Sequence, residues 1–175
     1  IKLFPPKYAI AVYTILQRSE VSSNLARYDG IRYGNDRSYF GDEAKRRIML
    51  GTYALSAGYY DQYYNKAQKV RTLIVNNFKD AFKNVDVIMG PTSPSTALPL
   101  GASKDHPMFG EMADVLVEPS SIAGLPGVSV PCGFSKEGLP IGMQIIGQQF
   151  AESLILNVAH KYEQETKWHS QKPKL

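Results

Sequence analysis

A chain of 175 residues with 43% hydrophobic content has the size of one ordinary domain with a core of its own. Lys and Arg number 20 against 16 Asp and Glu, a scattered net charge of +4 with no basic cluster dense enough for a nucleic-acid footprint. The one cysteine, Cys132, excludes an intrachain disulfide framework and fits a reducing compartment such as the cytoplasm, and no apolar run approaches the ~18 residues of a membrane span.

The opening Ile1-Lys2-Leu3-Phe4-Pro5-Pro6 carries no secretory pattern and leads straight into a helical repeat, so the chain reads as a fragment of a longer protein. Pro5 and Pro6 stand where a helix start tolerates proline. From Lys7, the recurrence of Tyr8, Val12, Ile15, Leu16, Leu25 and Ala26 predicts a first helix that ends near Asp29-Gly30 or Tyr33-Gly34. Ser19, Ser22 and Ser23 place small residues within it, open to close packing or to a ligand. After the polar turn Asn35-Asp36-Arg37-Ser38, Gly41-Asp42-Glu43 starts a second helix with its acidic residues at the positive end of the macrodipole. Ile48, Leu50, Tyr53 and Leu55 continue it to Gly58. Tyr60, Tyr63, Ala67, Val70, Ile74, Phe78 and Ala81 recur at spacings of three and four and predict one long third helix from about Tyr59 to Lys83. Lys66, Lys69, Arg71, Lys79 and Lys83 cover its solvent face.

Val85 to Met89 reads as a strand, followed by the irregular loop Gly90-Pro91-Thr92-Ser93-Pro94-Ser95-Thr96, where α/β folds with parallel strands place ligands. After the polar segment Ser103-Lys104-Asp105-His106-Pro107, a short helical piece around Met112 to Val117 carries Asp114. Between Glu118 and Gly147, two apolar runs flank the polar tip Phe134-Ser135-Lys136-Glu137-Gly138 and predict a pair of adjacent strands. Val128, Val130, Ile141, Met143, Ile145 and Ile146 supply their apolar content, and Gly124 and Gly127 bracket Leu125-Pro126 in a turn. A last helix from Glu152 to Glu163 shows the stripe Leu154, Ile155, Val158 and Tyr162, before a polar tail from Trp168. This order makes an α/β fold with an incomplete sheet of three strands, whose open edges call for further strands or for self-association.

Several chemistries are excluded by pattern. Ser129 follows Gly127 by two residues, but Pro131 stands where a nucleophile elbow needs its second glycine, which leaves a strand serine. His106, His160 and His169 are dispersed, so no metal spacing exists, and no phosphate-binding or dinucleotide glycine motif is present. The neighbours Asp105 and His106 lie in a Pro-flanked loop, an unpromising acid–base pair, and His160 lies on the last helix as an ordinary helix residue. Tyr13, Arg47 and Asp114 supply a hydroxyl, a rigid cationic fork and an anion, the groups that recognise both ends of a free α-amino acid. Spacing alone does not bring the three together.

The segments Ser23-Asn24-Leu25-Ala26-Arg27-Tyr28-Asp29-Gly30-Ile31-Arg32-Tyr33-Gly34, Lys45-Arg46-Arg47-Ile48-Met49-Leu50-Gly51-Thr52, Gly90-Pro91-Thr92, Ala123-Gly124-Leu125-Pro126-Gly127 and Pro140-Ile141-Gly142 resemble the amidase signature family. The likeness covers almost the whole chain. The first two segments resemble more narrowly its branch of A subunits from the glutamyl-tRNA(Gln)/aspartyl-tRNA(Asn) amidotransferases. The resemblance implies an α/β/α fold with a mixed sheet, of which residues 1–175 form the C-terminal part of one domain. It implies a Ser–Ser–Lys triad that attacks the glutamine side-chain amide, with the ammonia passing to a B subunit that activates glutamate or aspartate on tRNA with ATP and Mg. A C subunit completes the cytoplasmic complex. The family's triad lies in its N-terminal half, on a Gly/Ser-rich stretch absent here. No catalytic residue, cofactor or metal is therefore assigned to this chain, and the chain alone is expected to be inactive. The family positions that hold glutamine match Tyr13 as a pocket wall, Arg47 for the carboxylate and Asp114 for the amino group. One departure stands out: between Gly34 and Gly41 the family carries a longer segment. Two alternatives stand beside this resemblance, a stand-alone amidase acting on another amide and a non-catalytic module that docks subunits.

Overall fold

The computed structural model describes residues 1–102 and 109–172. In chain order it contains α1 (Lys7–Leu25), a 3₁₀ turn (Arg37–Tyr39), α2 (Asp42–Ala54), a π-helical turn (Asp61–Asn65), α3 (Lys66–Ala81) and β1 (Ile88–Pro91). There follow α4 (Phe109–Ala113), α5 (Glu118–Ala123), β2 (Gly127–Phe134), β3 (Pro140–Ile146), α6 (Glu152–Glu165) and a closing 3₁₀ turn (Trp168–Ser170). The chain divides into two compact units, one formed by Ala11–Leu73 and the other by Ile1–Ile10 with Ile74–Leu175.

In the unit Ala11–Leu73, α2 lies against α1 at a distance only glycine permits. A methyl group on Gly51 would fall 1.8 Å from the backbone oxygen of Arg18 and 2.9 Å from the Ser22 Cβ. Ser19 and Ser22 are buried, and their hydroxyls donate to the carbonyls of Ile15 and Ser19 at 2.8 Å each. The small-residue face of α1 is therefore a packing surface: each serine satisfies its hydroxyl within its own helix and leaves room for the neighbouring backbone. The expected long third helix is interrupted. Gly58, at φ 85°, breaks the run after α2, and the turn that follows has π geometry, with the Asn65 N–H donating to the Tyr60 carbonyl at 3.0 Å. The extra residue of a π turn rotates the side chains around it. Here the rings of Tyr53, Tyr59 and Tyr63 gather with centroids 4.3 to 6.4 Å apart, while Tyr60 stacks on Tyr64 at 5.1 Å. Tyr60 and Tyr63 are exposed, not part of a buried stripe, and burial resumes at Ala67.

In the other unit, β3 lies between β1 and β2, and both pairings are antiparallel. The segment after β1 is therefore not the ligand loop of a parallel sheet: Ile88 faces Ile146 and Pro91 faces Met143 in an antiparallel ladder. Alternation decides the faces of this sheet. Val130 and Ile145 are buried with Ile155 and Ala159 of α6, and Val128, Met143, Val158 and Tyr162 pack around them. The intervening residues Ser129 and Gln144, paired directly in register, take the opposite face. A bulge between Pro131 and Gly133 absorbs Cys132. Gly147 lets α6 close onto the end of β3, since a methyl there would sit 2.7 Å from the Ile155 Cγ2. Where the sequence pattern shows only the approach to a strand, the structure forms the short helix α5. Its Pro119 sits in the first turn, where no N–H is needed, and Gly124 at φ 71° caps its C-terminus. Six residues with two serines are too few for helical periodicity to show.

Candidate functional site

Arg47 occupies the first half of α2, one turn before Gly51 and on the same face. The close approach at Gly51 thus brings this face of α2 to α1, where Tyr13 stands. The Arg47 Nε donates to Glu43 Oε1 at 2.6 Å, and the Tyr13 hydroxyl is the second group set against the guanidinium. Glu43 holds two arginines, because its Oε2 also accepts from Arg46 Nε at 2.8 Å and Nη2 at 2.7 Å. The carboxyl of Glu43 is accordingly held below its ordinary value, chiefly by the bond from Arg47, and the Arg47 guanidinium is pushed up by the same bond. The Arg47 side chain keeps 27% of its surface exposed. The arrangement is a cation held through Nε beside a phenol, with its planar fork the natural seat for a carboxylate.

Asp114 belongs to the other unit and is exposed on the turn between α4 and α5. Its carbonyl accepts from the N–H groups of Val117 and Glu118, each at 3.0 Å, so the turn closes on itself. The structure brings Tyr13 and Arg47 together within one unit and places Asp114 in the second.

The polar face of the sheet is the feature that sequence spacing did not single out. The Thr92 hydroxyl meets the Ser129 hydroxyl at 2.7 Å, and a methyl on Gly142 would come within 3.0 Å of one and 3.1 Å of the other. These residues border an open groove of about 750 Å³ formed largely by the Pro91 to Ala102 segment. Gln144 is buried, and its Nε2 donates to the carbonyls of Pro91 and Leu116 at 2.9 Å each. The available signal was a lone amide inside the apolar run Ile141 to Ile146, since a buried polar residue says more than an apolar one.

Ser129 is a strand serine, as its pattern suggests, with Thr92 as its hydroxyl partner. Cys132 stays half-buried and donates to the Ile141 carbonyl at 3.5 Å. His160 and His169 border a shallow surface depression with Glu163, and Asp105 and His106 lie outside the described residues. Among the described residues, no group of three or more His, Cys, Asp or Glu could hold a metal, and no helix is long and apolar enough to cross a membrane.

A family model described as Amidase matches residues 1–156. The A subunit of the Listeria innocua glutamyl-tRNA(Gln) amidotransferase is 54% identical over 184 aligned positions, which take in 97% of this chain and 38% of that protein. Its counterpart from Brevibacillus brevis is 53% identical over 95% of this chain and 37% of its own length. The alignment of 184 positions exceeds the 175 residues present, so the Listeria protein carries residues this chain lacks. Among solved structures, the A subunit of the Thermotoga maritima glutamyl-tRNA(Gln) amidotransferase superposes with a TM-score of 0.71 at 40% identity, covering 95% of this chain and 34% of that one. An amidase crystal structure at 23% identity shares the fold, with a TM-score of 0.73 over 92% of this chain and 36% of its own. The chain thus spans little more than a third of the length of the proteins it matches.

Proposed function

The chain belongs to the amidase family, and on that premise we propose that it is the C-terminal part of the glutamine-hydrolysing A subunit of a tRNA-dependent amidotransferase. The whole subunit releases ammonia from glutamine for the amidation of Glu-tRNA(Gln) or Asp-tRNA(Asn). This part contributes the glutamine-binding side chains and the scaffold behind them, while the Ser–Ser–Lys triad belongs to the remainder of the subunit. B and C subunits complete the assembly, with tRNA, ATP and Mg handled mainly by the B subunit, in the cytoplasm. Identities of 53% and 54% across nearly the whole chain favour this branch over an amidase acting on another amide.

The observation that carries the substrate reading is Arg47, held by Glu43 through Nε and set beside Tyr13. The terminal nitrogens of its fork bind the glutamine carboxylate, and the Tyr13 ring and hydroxyl wall that end of the pocket. Asp114, the exposed anion of the α4–α5 turn, receives the ammonium group. The sequence carries no Lys/Ser/Ser constellation with amidase spacing, so the chain by itself is expected to hydrolyse no glutamine.

The test is Arg47→Ala in the full-length protein, reconstituted with its partners. A charge-assisted hydrogen bond is worth about 1.5–3 kcal/mol, so the KM for glutamine rises by roughly tenfold or more. Amidation driven by added ammonia persists, because ammonia bypasses the glutamine pocket. Equal loss of both activities would remove Arg47 from the glutamine site and reduce it to a helix-face ion pair with Glu43.

A further inference from the structure

We propose that Gln144 is a positioning residue for Asp114: its buried amide ties the turn that carries the aspartate to the end of β1. The inference rests on the assignment of Asp114 to the substrate ammonium.

A primary amide at the centre of a sheet is costly unless its donors are used. Gln144 is 8% exposed and sits on the middle strand, flanked by Met143 and Ile145 on the face that packs on α6. Its two N–H groups reach carbonyls that are remote in sequence, Pro91 at 53 residues and Leu116 at 28. Both partners are acceptors, so only the NH₂ end of the amide can serve them, and its orientation follows from the network.

Leu116 lies two residues beyond Asp114, inside the turn closed by the bonds from Val117 and Glu118 to the Asp114 carbonyl. On the other side of Asp114, the Ser93 hydroxyl donates to the Ala113 carbonyl at 3.4 Å. Two tethers thus flank the aspartate. One comes from the middle strand and the other from the segment following β1. The Asp114 side chain is left exposed while its backbone is held. A carboxylate presented on a fixed turn loses less freedom on binding a cation than one on a loose turn, and affinity gains by that difference.

The experiment uses the full-length protein in its complex, with glutamine-dependent amidation compared against ammonia-dependent amidation of the same preparation. Gln144→Met keeps the length of the side chain and removes both donors. The expected result is a rise in glutamine KM of about two- to tenfold for each lost bond, with kcat little altered. On an Asp114→Ala background, Gln144→Met changes glutamine kcat/KM by less than about twofold, because the amide acts through the aspartate. Full additivity of the two substitutions overturns the proposal. So does an unchanged KM in Gln144→Met when Asp114→Ala raises it. If Asp114→Ala itself leaves the KM unchanged, the substrate role of Asp114 fails first and this inference falls with it. Should Gln144→Met not assemble, the exposed Ser93→Ala reads the same turn through its other tether. A KM rise of about twofold supports the proposal, and no change overturns it.

Discussion

In the unit Ala11–Leu73, the Ser19 hydroxyl reaches Ile15, Arg47 reaches Glu43 and Gln68 reaches Tyr64, each across four residues. In the sheet unit, Gln144 reaches Pro91 across 53 residues and Leu116 across 28, and Thr92 meets Ser129 across 37. In the helical unit these bonds stay within one helix or its preceding turn, and its contacts between helices include the close approach at Gly51 and Tyr13 beside Arg47. The strands of the other unit cannot keep such bonds local. Alternation sends its polar residues to one face together, and only neighbouring strands and turns can supply their partners. A defect in the first unit therefore acts through packing of whole helices, and a defect in the second acts through a network that must be complete.

The largest effect should come from Ile145→Ala. Ile145 has no exposed surface and lies between β1, β2 and α6, so the cavity left behind costs about 2–5 kcal/mol in urea unfolding of the full-length protein. A loss below about 1 kcal/mol would show that the sheet rests on its polar network more than on its apolar face.

Gly51→Ala sharpens the comparison from the other side. Helix propensity alone favours alanine by about 1 kcal/mol. The new methyl, however, meets backbone, the Arg18 carbonyl oxygen at 1.8 Å, and backbone cannot swing aside as a side chain can. Net destabilisation of about 1–3 kcal/mol is expected, read as a lowered Tm. A stabilised variant would mean that local contacts alone hold α2.

The smallest effect belongs to Glu43, which is half exposed and therefore screened. Glu43→Gln should cost less than about 1 kcal/mol, and less still in high salt. The pH dependence has a definite sign. Its carboxyl is lowered from an ordinary value of 4.5, first by the bond from Arg47, so the folded state favours the ionised form. The contribution is whole above about pH 4.5 and fades as the pH falls through the lowered folded value. Comparing the acid limbs of wild type and Glu43→Gln checks this: a difference that grew toward neutral pH beyond the plateau would contradict it.

Much of this molecule is legible from spacing. Gly41-Asp42-Glu43 marks the start of α2 within a residue, the stripe of Leu154, Ile155, Val158 and Tyr162 marks α6, and the polar tip before Gly138 marks the β2–β3 hairpin. Spacing starts β1 three residues early, because Val85 and Val87 look like strand residues while the ladder to β3 begins only at Ile88. The π turn at Asp61–Asn65 escapes because its tyrosines continue a helical repeat, and a repeat does not register one inserted residue. Of the proposed glutamine side chains, Arg47 and Asp114 are visible as residue types and through family likeness, whereas the clamp at Gln144 is not.

By itself, then, the amino-acid sequence determined most of the helix and strand segments, the apolar faces of the sheet and of α6, and the family to which the chain belongs. Each of those depends on neighbours a few residues apart, or on runs of residues that stay together however the chain folds. Only the tertiary structure decided that Gly51 admits the backbone of Arg18, that Tyr13 stands beside Arg47, and that one buried amide joins Pro91 to Leu116. Such contacts join faces whose existence local spacing predicts but whose partners it does not name. The choice of partner is made by loop closure and close packing across the fold, where a single methyl or a single donor decides whether two elements can meet.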